Sequence, residues 1–148
     1  MSRFILYRIP KGAARGPEEP GGNSAGAGIK EFRDFIKSGQ EADTHFVSCG
    51  EYVLRHYGKG YRLVGNTGIF IGGYILPRNV LFADYRNSGQ HGLVARLYAE
   101  HGRSFTDHVK GRFVVIIMEA GRVEIYFDHL GLFRAFYHIA GDRFMISD

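Results

Sequence analysis

Residues 112–147 read RFVVIIMEAGRVEIYFDHLGLFRAFYHIAGDRFMIS. Four short runs rich in β-branched and aromatic residues, RFVVIIME, RVEIYFD, FRAFYHI and RFMIS, are separated by Gly121, the turn HLGL and Gly141-Asp142. Runs of this length bounded by turn residues are strands. The same grammar extends backwards through THFVSC, EYVLRHY, YRLVG and TGIFIGGYI, punctuated by Gly50, Gly58, Gly60 and Gly65. Residues 3–9, RFILYRI, form a further strand at the start of the chain.

Two segments break the pattern. In LVARLYAEHG, Leu93, Val94 and Leu97 fall on one helical face and Gly102 follows as a stop, which predicts a helix over about 89–101. Ser104, with Asp107 three residues on, reads as an N-cap in an acidic variant of the capping box. In IKEFRDFIKSG, Ile29, Phe32 and Ile36 recur at helical spacing ahead of Gly39, predicting a short amphipathic helix. Residues 10–28, PKGAARGPEEPGGNSAGAG, hold three of the four prolines and six glycines, and read as a long flexible loop. Strands outnumber helices and do not alternate with them, so the fold class is α+β with largely antiparallel sheets.

Composition bounds the rest. A chain of 148 residues is one domain. Twelve Phe and nine Tyr supply ample surface for a core and argue against wholesale disorder. Gly, 21 of 148 residues or about 14%, is roughly twice its usual share, in keeping with many turns. The net charge of +4 is spread without a run of like charges, so nucleic-acid binding is permitted but not indicated. One cysteine, Cys49, excludes an internal disulfide and any cysteine-based metal cage. The chain has no apolar run of the ~18 residues needed for a membrane span, and its first residues are too short and too broken by Arg8 and Pro10 for a secretory signal. A cytoplasmic location is the expectation. His45, His56, His91, His101, His108, His129 and His138 are scattered with no ligand spacing such as H-E-x-x-H, so no metal and no cofactor is expected.

The order of certain residues carries a resemblance. Gly102, Phe105, Val109, Gly111 and Phe113 are followed by Asp128-His129-Leu130-Gly131, then Phe136-Tyr137 and Ile146-Ser147-Asp148, while Gly73-Tyr74-Ile75 stands earlier in FIGGYILPRN. This order resembles the glutaminase domain of asparagine synthetase-like enzymes, the class II glutamine amidotransferases, over about residues 68–148. The resemblance implies a four-layer αββα sandwich of the N-terminal nucleophile hydrolase type. It also implies a domain that releases ammonia from glutamine for an ATP-dependent synthetase.

The family's chemical groups are replaced at the matching positions. Its N-terminal cysteine corresponds to Ser2, which could attack only after removal of Met1 freed its amine. An Asn-Gly pair that binds the oxyanion corresponds to Gly72-Gly73, and loss of one such donor costs about two to three orders of magnitude in rate. The aspartate that grips the substrate ammonium falls at Gly89-Gln90. The stretch RGPEE at 15–19 lies too close to the N-terminus to match the family's R-G-P-D loop. No S-G-G-x-D-S loop occurs, so the chain does not itself form an amide with ATP.

The expectation is therefore a degenerate, inactive glutaminase-like domain with no catalytic residues. Gly72, Gly73 and Gln90 are relics of a substrate-binding site for glutamine. The expected partner is an asparagine synthetase-type ATP-dependent domain, in a longer chain continuing past Asp148 or on a separate protein. Two alternatives stand beside it: an active hydrolase using Ser2, and a small RNA- or protein-binding domain built on the basic and aromatic residues Arg55, His56, Tyr57, Lys59, Tyr61 and Arg62.

Overall fold

Strand β6 (Val109–Glu119) runs through the middle of the computed structural model, which describes residues 4–9, 44–78 and 82–148. Every residue from Phe113 to Met118 is buried, because this continuous apolar run is covered on both faces. β6 pairs along ten positions with β5 (Thr67–Pro77), from Gly68↔Met118 to Pro77↔Val109. On its other side lies β7 (Arg122–Phe127), and β4 (Tyr61–Val64) completes a four-stranded sheet in the order β4-β5-β6-β7.

A second sheet has the order β2-β3-β1-β9-β8. It comprises β1 (Phe4–Arg8), β2 (Thr44–Cys49), β3 (Tyr52–Tyr57), β8 (Phe136–Ala140) and β9 (Arg143–Ser147). All pairings in both sheets are antiparallel. Phe4, Leu6, Leu54 and Ile146 from this sheet meet Phe70, Val114, Ile116 and Met118 from the first, forming the core between the sheets.

The opposite face of the four-stranded sheet packs Ile69, Ile71, Ile75, Phe113, Val115 and Ile117 under helix α1 (Phe82–His101) through Leu93, Val94 and Leu97. A 3₁₀ helix (Gly102–His108) drives Phe105 into the same core, fully buried. A fully buried side chain of this size contributes about 1.5–3 kcal/mol by leaving water.

Among the described residues the architecture is thus three layers: one helix, then two antiparallel sheets. The four-layer αββα sandwich is not what is found. No second helical layer accompanies the five-stranded sheet among these residues. Periodicity reports which face of an element is apolar, but the number of layers depends on which sheet face meets which partner, and that is a long-range matter. The helix predicted over 29–36 and the loop at 10–28 lie outside the described residues, as does RGPEE.

Two local expectations also change. Helix α1 begins at Phe82 rather than near 89, with a break at Gly89 (φ 68°, ψ −170°). The following 3₁₀ helix has His101 at its N-cap with no side-chain bond, so Ser104 lies inside it and caps nothing. The strand expected over 133–139 is shorter and shifted, Phe136–Ala140. No helix among the described residues is long and apolar enough to cross a membrane.

Candidate functional site

Gly72 and Gly73 sit in β5 opposite Val114 and Phe113 of β6. The side-chain space of Gly72 is taken: a Cβ there would lie 2.9 Å from a methyl of Val114 and 3.1 Å from the ring of Phe133. Phe133 in turn stacks obliquely on Phe4 (6.5 Å between centroids), and Phe4 on Phe70 (5.2 Å). An aromatic plug therefore covers the position where the resemblance puts an oxyanion donor. Gly73 has φ +86°, and a Cβ would collide with the backbone oxygen of Arg112. Two positions further along β6, Gly111 (φ +143°), opposite Ile75, meets the backbone oxygen of Tyr74 in the same way. The two strands approach so closely here that only glycine fits.

Gln90, one residue past the break in α1, lies beside this pair. Its side-chain oxygen accepts the backbone N–H of Ile75 at 2.7 Å, which ties the helix to β5. The fold thus brings Gly73 and Gln90 to one place, two residues apart along β5 through Ile75. Gln90's acceptor is engaged with the backbone rather than directed at a ligand. Ser2 lies outside the described residues. Two residues on, the N–H of Phe4 donates to Oδ1 of Asp148 at 2.7 Å, which joins the first and last strands of the five-stranded sheet's centre.

The same aromatic plug is held from the other side by Asp128, which is 5% exposed. Its Oδ1 accepts the N–H groups of Leu132 (2.9 Å) and Leu130 (3.2 Å), and its Oδ2 those of Phe133 (2.8 Å) and Phe113 (3.4 Å). Burial pushes this carboxyl up, but the bonds from Leu132, Phe133, Phe113 and Leu130 outweigh it and hold the group below its usual range. A short acidic side chain at a turn suits this role, because it can accept from the backbone just ahead of it.

A polar cluster that the linear reading missed lies at the opposite edge. Glu124 accepts bonds from the hydroxyls of Tyr98 (2.6 Å) and Tyr126 (2.8 Å) and from Nε of Arg103 (2.9 Å), with Arg122 at 3.8 Å. The Tyr98 hydroxyl is the largest influence on its carboxyl. Although burial opposes it, Tyr98 together with Tyr126, Arg103 and Arg122 lowers the group to about 2. Burial and then Glu124 itself raise the Tyr126 hydroxyl. A carboxylate this acidic is poorly matched to general-base work near neutral pH. It locks α1 and the 3₁₀ helix to β7. A signal was present in the sequence: Arg122, Glu124 and Tyr126 alternate along RVEIYF and share one face of a strand.

This cluster predicts an acid-sensitive stability. Glu124 has a folded value of about 2 against an ordinary 4.5, so its contribution is full above about 4.5 and is lost as the pH falls towards 2. Urea unfolding at pH 6 and pH 3 should show wild type losing on the order of 1 kcal/mol more than Glu124→Gln over that interval, after allowance for solvent screening. Equal losses in the two proteins would remove Glu124 from this role.

An open groove of about 620 Å³ lies between α1 and the β4–β5 turn, lined by Val64, Thr67, Ala95, Tyr98, Ala99 and Glu119 among others. It contains none of Gly72, Gly73 or Gln90. Among the described residues no group of three His, Cys, Asp or Glu side chains is placed to hold a metal ion. Cys49 is a free, half-buried thiol whose Sγ lies 3.7 Å from the backbone oxygen of Arg122. No protein-family model matches the chain, and no curated protein matches it.

Proposed function

We propose that this chain is a catalytically silent relative of the glutaminase domain of asparagine synthetase-like enzymes, acting as a docking module for an ATP-dependent amide-forming synthetase. The observation that carries the reading is the ring of Phe133 filling the side-chain space of Gly72, where a working site would need a donor and room for substrate. Gln90 adds to it, since its acceptor oxygen is committed to Ile75. The docking half of the reading draws on the turn after Asp128, where Leu130 (79% exposed) and Leu132 (51%) project from a backbone pinned by that carboxylate. Apolar side chains on a rigid turn suit a binding surface, because little conformational freedom is lost on contact.

Ammonia release from glutamine, with Ser2→Ala as control, tests the silent half. The expected result is no release above the control. Release that disappears in Ser2→Ala would replace this reading with a serine-dependent glutaminase. For the docking half, affinity for a purified synthetase domain of the asparagine synthetase type should fall about tenfold or more in Leu130→Asp/Leu132→Asp. Absence of binding by the wild-type protein would overturn it.

A further inference from the structure

His56, in β3, is 4% exposed, and its Nδ1 has no hydrogen-bond partner among the described residues. It shares the face of β3 that carries Leu54, which looks into the core between the sheets. Its ring lies against Tyr61 of β4 and Phe70 of β5, each with centroids 5.6 Å away. His45 of β2 stands directly opposite in the β2–β3 register and stacks on it at 5.2 Å. Two imidazoles are therefore packed ring on ring, the inner one among aromatic side chains.

Among the described residues, the groups that face His56 offer it no negative charge. β1 presents Phe4, β5 presents Phe70, and β4 presents the Tyr61 hydroxyl, which burial and then Cys49 push up. β2 supplies His45 and, further along the same face, Cys49. Arg55 and Tyr57 of β3 itself lie on the other face, where Arg55 stands over the rings of Phe46 and Tyr57. Burial, and then His45, lowers the His56 ring below its ordinary 6.5, against backbone bonds to Gly58 and Tyr57. A neutral ring suits this place. A charged one has an N–H at both nitrogens, and Nδ1 has no acceptor.

We propose that His45 and His56 form an acid-operated latch on edge strand β2, in which protonation of the buried ring releases residues 44–46 from β3. Among the described residues β2 is held on one side only, in the order β2-β3-β1-β9-β8. Beyond the histidine pair, Val47 and Cys49 pack on the core between the sheets and keep the rest of the strand in place. Release costs the ladder bonds at this end and the contact of Phe46 with the Arg55 guanidinium (5.9 Å). It gains water for His56 and distance between two like charges. Linkage sets the sign: the closed state holds His56 neutral and the open state lets it titrate near 6.5, so the latch holds above that pH and weakens below it. One proton taken up on opening raises the open population by at most about thirtyfold at pH 5.

Amide hydrogen exchange at about pH 7.5 and about pH 5, corrected for intrinsic rates, tests the latch. Residues 44–46 and 55–57 should lose about tenfold or more of their protection at the lower pH, while β5 and β6 keep theirs. His56→Phe keeps an aromatic ring and removes the titrating group, so the same residues should be equally protected at both pH values. His45→Gln removes the second charge but leaves the burial, and its loss of protection should fall between those of wild type and His56→Phe. Equal protection of wild type at the two pH values would overturn the proposal. So would a loss in His56→Phe as large as in wild type, or a loss in β5 and β6 as large as in β2.

Discussion

Asp128→Ala should destabilise the protein by about 3–5 kcal/mol, because it leaves four backbone N–H groups at a buried turn without their acceptor. A missing acceptor costs about 1–3 kcal/mol per buried donor, and water can reach some of these groups, so the sum is less than four full penalties. Asp128→Asn separates charge from geometry. One oxygen of an amide can serve Leu130 and Leu132 or Phe133 and Phe113, while the NH₂ group opposes the other pair. The asparagine variant should therefore recover less than half of the loss. Wild-type stability should also fall in acid: the carboxyl sits below its usual value in the folded state, so its contribution is present above about pH 4 and disappears as the pH drops through the lower folded value. Urea denaturation of the three proteins at neutral pH decides the matter, and a loss under about 1 kcal/mol for the alanine variant would dismiss Asp128 as the organiser of this turn.

Gly73→Ala should cost about 3 kcal/mol or more. Two effects add there: φ +86° is unfavourable for any side chain, and the new Cβ is driven onto the backbone of Arg112, with its carbonyl carbon at 3.1 Å and the Cα of Phe113 at 3.3 Å. Neither neighbour can rotate away, since both belong to β6 in the centre of the sheet. Gly58→Ala is the matched control, with φ +68° but open space around it, and should lose only about 1–2 kcal/mol. Thermal and urea melts of the pair measure the difference directly. If the two variants lose the same amount, the close approach of β5 and β6 at this point is not a constraint.

Much of the fold was legible residue by residue. All nine strands among the described residues were anticipated as elements, because β-branched and aromatic runs between glycines express a local preference that neighbours in space reinforce. Leu93, Val94 and Leu97 marked the buried face of α1 for the same reason. The start of that helix was not legible: Gly89 leaves helical geometry, yet the chain is helical on both sides of it. Ser104 had the residue type of a cap, but its place was settled by Phe105 being drawn into the core.

At the site the sequence alone determined which residue types stand at Gly72, Gly73 and Gln90, and that Asp128 begins a turn. Those are properties of single positions and their immediate neighbours. Only the tertiary structure decided that Phe133 occupies the space beside Gly72, that Gln90 holds Ile75, and that Tyr98 and Arg103 meet Glu124 across more than twenty residues of chain. The layering was decided at the same level: one helix over one sheet, and that sheet over another, depends on which apolar faces come together. A sequence specifies each face through its period, whereas the pairing of faces is a long-range contact that no period of two or 3.6 encodes.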